Sequence, residues 1–168
     1  MITNIGTLSR HGVKKIITHC PHCLNSLRQD YSQFDGHYEV THHTQFLGEL
    51  VAAGKLKATA VMNEKVAYHD PCYLARVNGI TDAPRPPLPE ALTEMSRHGC
   101  QTPCCDGGGG RMWFDDPAEE RIGTVAKTVA VSCPFCLTMM TDGIAAKDDQ
   151  VKVRDIAELL AEENLNQP

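Results

Sequence analysis

Short apolar, β-branched runs alternate along this chain with longer stretches whose apolar residues recur at helical spacing. Val13–Thr18, Tyr38–Thr41, Lys65–His69, Thr128–Ser132 and Val151–Arg154 predict strands. Thr44–Ala53, closed by Gly54, and Ile156–Glu163 predict helices. This alternation predicts an α/β fold with parallel-sheet layers. Three predicted strands run straight into cysteine and proline, at Cys20-Pro21, Pro71-Cys72 and Cys133-Pro134. Proline's fixed φ suits a first helical turn, so each site predicts a strand–cysteine–helix unit. Asp35-Gly36 predicts a stop after the first such helix, and Thr141 to Gly143 the corresponding stop after the last. The run TDAPRPPLPEAL excludes regular helix and central strand and predicts a surface loop. Glu90–Arg97 fits helix and strand equally. TPCCDGGGGR, from Thr102 to Arg111, predicts an irregular turn, and Asp116-Pro117 the cap and first position of a short helix.

The pattern repeats. THCPHCL and VSCPFCL lie 113 residues apart, and without a gap Gly12 to Glu49 overlies Val125 to Glu162. An internal duplication is the expectation, and its first copy is truncated. Residues 1–57 read as the carboxyl-terminal remnant of a first cysteine-rich module, and residues 58–168 as a complete second one.

Composition narrows the class of function. With 42% apolar residues in 168, the chain has the makings of a packed core. No apolar run approaches the ~18 residues of a membrane span, and the start lacks a secretion signal. A net charge of −5 with interspersed signs offers no basic stripe for nucleic acid. The expected location is the cytoplasm, peripheral to the inner membrane through partners. In that setting eight cysteines point to metal or redox chemistry rather than a disulfide framework.

Five of those cysteines form a set: Cys72, the adjacent pair Cys104 and Cys105, and Cys133-x-x-Cys136. Thiolates select zinc, copper(I) or iron–sulfur clusters, and five exceed what one tetrahedral zinc takes. Gly107, Gly108, Gly109 and Gly110 can bring backbone N–H groups against cluster sulfur. Cys72 and Cys133, at expected helix amino termini, would gain thiolate stability from the helix dipole.

The pattern Cys…Cys-Cys…Cys-x-x-Cys, with HDPCYLARVNG, GGGRMW and SCPFCLTMM, resembles the cysteine-rich "CCG" domain of heterodisulfide reductase subunits and glycolate oxidase iron–sulfur subunits. It is closest to the branch that links flavoproteins to a quinone pool. The resemblance implies a non-cubane [4Fe–4S] cluster on Cys72, Cys104, Cys105, Cys133 and Cys136. It also implies a flavoprotein or ferredoxin-like redox partner, and a quinone or disulfide acceptor. Cys20 and Cys23 would belong to the first module, so the chain is expected to be a fragment, a split subunit whose missing half a separate chain supplies, or a form that has lost its first cluster. Asp106 stands where the family usually has glycine, and the stretch from Cys105 to Cys133 is short by about two helical turns.

Two rival classes stand beside this one. Strand–CPHC–helix is also the arrangement of thiol–disulfide oxidoreductases, and a thiol cluster can hold a zinc that merely stabilises an interaction domain. Cys100 reads as a packed thiol outside the set, Met139 and Met140 as core, and Trp113 as a core cap. His69 is either a hydrogen-bonded strand-end residue or a group beside the cluster. Arg76 and Arg111 are either solvated or charge-compensating. His42 and His43 align with Asp155 and Ile156, so the repeat assigns them no chemistry.

Overall fold

The computed structural model describes residues 1–59, 65–90, 92–107, 127–145 and 150–165. Helix α1 (Ile2–Arg10) leads into strand β1 (Lys15–Thr18), helix α2 (Pro21–Asn25), strand β2 (Glu39–His42) and helix α3 (His43–Ala52). Strands β3 (Val66–Tyr68) and β4 (Thr93–Glu94) follow, then β5 (Thr128–Val131), α4 (Pro134–Ala145), β6 (Lys152–Asp155) and α5 (Ile156–Leu165). The fold is α/β with parallel sheets. Strands β1 and β2 form one pair, and the other four stand in the order β4-β3-β5-β6. Every pairing is parallel.

Strand β5 lies between β3 and β6, and all four of its residues are buried. A parallel strand covered on both faces reads as a continuous apolar run, which TVAV supplies. Side chains alternate across it. Val129 and Val131 join Cys105, Cys133, Cys136, Met139 and Met140 on one face. Ala130 joins Tyr68, Ile156, Leu159 and Leu160 on the other, where Leu47 and Val51 of α3 also pack. A third cluster, Leu24, Val40 and Leu74, ties the β1–β2 pair to the segment after Cys72. The two strand–helix–strand–helix runs coincide at one offset: β1, β2 and α3 begin 113 residues before β5, β6 and α5. Lys15 faces Glu39 across the first pair, as Thr128 faces Lys152 across the second.

Several local expectations change. Helix α4 runs through Thr141–Gly143 to Ala145, because Gly143 and Ile144 face the core and their burial outweighs the ~0.5–1 kcal/mol that a helical glycine costs. Pro84, Pro87, Leu88 and Pro89 of the proline-rich loop are buried rather than spread over the surface. Prolines bring no N–H to satisfy, and turns from Asp82 O to Arg85 N and from Arg85 O to Leu88 N close the path. Within Glu90–Arg97 the strand alternative holds at Thr93–Glu94, paired with β3. Helix α1, with no buried residue, has no counterpart among the predicted elements. The stop at Asp35 is present, its φ being 59°.

Candidate metal centre

Cysteines 72, 105, 133 and 136 line one cavity of ≈ 250 Å³, together with His22, Tyr73, Arg76 and Phe135. Cys104 joins through Cys72, their sulfurs being 3.9 Å apart. Cys105, Cys136 and a ring nitrogen of His69 lie within 4.8 Å of one another, and all three residues are buried. The strand-end design delivers these groups. His69 directly follows β3, Ser132-Cys133 directly follows β5, and α4 carries Cys136.

Charge in the site is shared among sulfurs. Cys136 holds its proton, pushed well up because Cys105 and Cys133 both lean on it and because it is buried. Cys105 is pulled well below the ordinary thiol range, first by Cys136 and then by His69 and the Gly107 N–H, against burial. Cys133 is likewise lowered by Cys136, by His22 and by the backbone N–H groups of Cys136 and Phe135. Cys72 moves the other way: burial and neighbouring Cys104 raise it, and only a five-residue π turn, Tyr73–Val77, follows it. The expected helix-dipole assistance therefore holds for Cys133, at the head of α4, and not for Cys72.

Space at Gly107 is tight. A Cβ there would sit 3.0 Å from Met139 Cγ and 3.1 Å from Phe135 Cβ. Its neighbour Asp106 has φ 62°, a left-handed conformation that suits the glycine usual in the motif better than aspartate.

The first CPxC turn reaches the same cavity. Cys20 caps α2, its sulfur accepting from Cys23 N at 3.5 Å. His22 Nδ1 lies 4.0 Å from Cys20 Sγ, and the ring stacks on Tyr73 at 4.1 Å between centroids and meets Phe135 edge-on at 5.0 Å. Contacts with Cys133 and then Cys20 raise His22 to about 9. His22 and Phe135 are the third residues of the two CPxC turns, so the turns meet face to face.

The model of the cysteine-rich (CCG) domain family matches residues 1–28 and 66–141, two stretches that each run past a CPxC turn. The chain belongs to the cysteine-rich domain family. It is 39% identical over 178 residues to the EtfAB:quinone oxidoreductase of Syntrophomonas wolfei, covering 94% of this chain and 25% of that protein. It is 41% identical over 175 residues to the probable iron-sulfur-binding oxidoreductase FadF of Bacillus subtilis, covering 95% and 25%. With a subunit of the dihydromethanophenazine:CoB–CoM heterodisulfide reductase of Methanosarcina barkeri it shares 34% over 175 residues, covering 95% and 43%. The chain thus spans a quarter of the length of the first two relatives and less than half of the third. No solved structure matches it.

In this cysteine-rich domain the donor set fits a polynuclear iron–sulfur centre. Five thiols around one cavity exceed a tetrahedral zinc's four places, and the two ring nitrogens of His69, fully buried, have no hydrogen-bond partner among the described residues. Cys100 is exposed rather than packed, its thiol reaching Ala75 O at 3.6 Å. Met139 and Met140 are core. Arg76 is exposed at the cavity rim, where its positive charge works against the raised Cys72 thiol. Gly108, Gly109, Gly110, Arg111, Trp113 and Asp116-Pro117 lie outside the described residues. Among the described residues, no helix is long and apolar enough to cross a membrane.

One interaction goes unmarked in the sequence, although its aspartate lies within HDPCYLARVNG. Asp70, buried between His69 and Pro71, accepts Gly99 N–H at 2.7 Å and two guanidinium bonds from Arg85 at 3.2 and 3.1 Å. Arg85 also grips Glu94, and Thr102 Oγ1 donates to Asp70 O. This brace fixes the chain on both sides of Cys72 and just before Cys104. Its other sequence signal is one arginine among four prolines.

Proposed function

We propose that this chain is an electron-transfer segment of an iron–sulfur oxidoreductase, holding one non-cubane [4Fe–4S] cluster on Cys72, Cys104, Cys105, Cys133 and Cys136. The observation that carries the reading is the convergence of thiols from three chain regions, with Cys72, Cys105, Cys133 and Cys136 lining one cavity and Cys104 Sγ 3.9 Å from Cys72 Sγ. The similarity to proteins named as iron–sulfur oxidoreductases supports it. When bound, the cluster supplies reversible one-electron storage. The protein's part is to present thiolates, close one wall with Tyr73 and Phe135, and hold Gly107 N–H against Cys105.

In this reading residues 1–57 and 58–168 are two copies of one module, the first incomplete, and the chain works with a redox partner. A flavoprotein or ferredoxin-like subunit would deliver electrons, and a quinone or a disulfide would accept them. Thiol–disulfide exchange at CPHC is disfavoured. Burial and Cys20 push the accessible Cys23 up to about 11, whereas the low-lying thiol, Cys20, is buried. Anaerobic purification with iron and sulfide analysis tests the assignment. Brown protein with about four of each per chain supports it; colourless protein holding only zinc overturns it.

A further inference from the structure

We propose that His69 donates a ring N–H to the sulfur face of the bound cluster and thereby raises its reduction potential. The inference rests on the iron–sulfur reading above and adds a sixth protein residue that acts on the cluster without being a ligand. His69 directly follows β3, and its backbone N–H donates to Ala130 O at 3.0 Å. Its side chain is fully buried, and neither ring nitrogen has a hydrogen-bond partner among the described residues. An unmet buried donor costs ~1–3 kcal/mol, so such a group is retained where something satisfies it.

The neighbours of His69 are fully used. Tyr68 Oη pairs with Ser132 Oγ at 2.8 Å, and Asp70 holds Arg85 and Gly99. His69 alone in this strand end is aimed at sulfur, within 4.8 Å of both Cys105 and Cys136 and near enough to Cys105 to lower its thiol, yet without a regular hydrogen bond to either. A neutral imidazole has one N–H to give, and an electron-rich sulfur of the cluster is the acceptor that this place would offer. Donation to cluster sulfur stabilises the more negative, reduced state, which raises the potential. Holding the ring is the task of β3 and the Asp70 brace, so His69 is a positioning and tuning residue.

The test uses the full chain reconstituted with iron and sulfide and labelled with ¹⁵N-histidine. Pulsed electron paramagnetic resonance of the paramagnetic cluster should show a weak histidine nitrogen coupling that persists in His22→Phe and disappears in His69→Gln. Redox titration should place His69→Leu below wild type at equal iron content, with His69→Gln, which keeps an N–H, recovering part of the drop. Should neither His69 variant load iron, the labelled wild type and His22→Phe still decide. A loaded wild type without the coupling, a coupling strong enough for a direct iron–nitrogen bond, or equal potentials in His69→Leu and wild type would overturn the proposal while leaving the cluster assignment standing. A wild type that assembles no cluster overturns both.

Discussion

Around Cys20 and around Cys133 the chain makes the same move, a four-residue strand into a Cys-Pro turn whose first sulfur caps the next helix. Yet β1 leaves its residues alternately exposed and half-buried, whereas β5 is buried throughout. Among the described residues, strand β1 has a neighbour on one side only, whereas β5 has one on each. The helices differ too. After five residues α2 loosens into a π turn and a 3-10 turn, while α4 runs for twelve. Cys23 is consequently exposed and Cys136 is buried. The same local sequence leaves its second cysteine exposed in one place and buries it within the thiol site in the other, in step with the strand's position in its sheet.

The largest expected difference is in metal. Cys136→Ser and Cys105→Ser should each lose most of the bound iron, because each removes a sulfur from the buried centre where thiol charge is shared. Cys23→Ser, at the matching place on the exposed turn, should keep iron near the wild-type ratio. Iron analysis of the three proteins after identical reconstitution checks the contrast. Equal losses in all three would mean that the exposed turn carries ligands as well.

The strand-end cysteines, the alternation of strands and helices and the parallel sheet were legible in the sequence, since each rests on local periodicity and on proline's fixed geometry. Position in the sheet was not. The lysine that opens KIIT against the nearly continuous apolar run of TVAV hints at the more buried strand, but neither run shows that one sits in a pair and the other in the middle of four. Tertiary burial likewise carried α4 through Gly143 and folded the proline-rich loop into the core. His69 was visible as a candidate, but its unpartnered ring depends on which neighbours Tyr68 and Asp70 had already taken. The Arg85 brace depends on contacts across 15 residues of irregular chain, beyond any periodic signal.

Burial does not favour the second run at every position. Leu24 and Leu137 occupy the same place after the two CPxC turns, and here the first is completely buried while the second is only partly so. Leu24 packs with Val40 and Leu74, joining the β1–β2 pair to the Cys72 segment. Leu24→Ala should therefore cost about 2–5 kcal/mol of unfolding free energy, and Leu137→Ala on the order of half that. Urea titrations of the two variants measure the order, and a larger loss at Leu137 would show that Leu24 is not the joint between the two parts.

His42 and Asp155 end β2 and β6 at matching positions, and both cap the helix that follows. Asp155 accepts Ala157 N at 2.8 Å and meets His43 Nε2 at 3.2 Å. His42 is buried, with Thr44 Oγ1 on Nδ1 at 2.8 Å and His19 O on Nε2 at 3.3 Å. A carbonyl only accepts, so Nε2 carries the hydrogen and Nδ1 takes the Thr44 hydroxyl. Burial, helped by His43 and His19 and opposed by the His19 carbonyl and Asp155, pushes His42 down to about 3. The unfolded chain takes up this proton near 6.5, so below that pH it binds more protons than the folded one. The stabilisation is complete above 6.5 and is lost as pH falls toward 3. By pH 5 the loss should reach about 2 kcal/mol. His42→Asn keeps a capping side chain without a titrating ring. Its stability should vary with pH over about 7 to 5 by clearly less than wild type, whatever its starting value. Parallel pH profiles for the two proteins would mean that the acid sensitivity arises elsewhere.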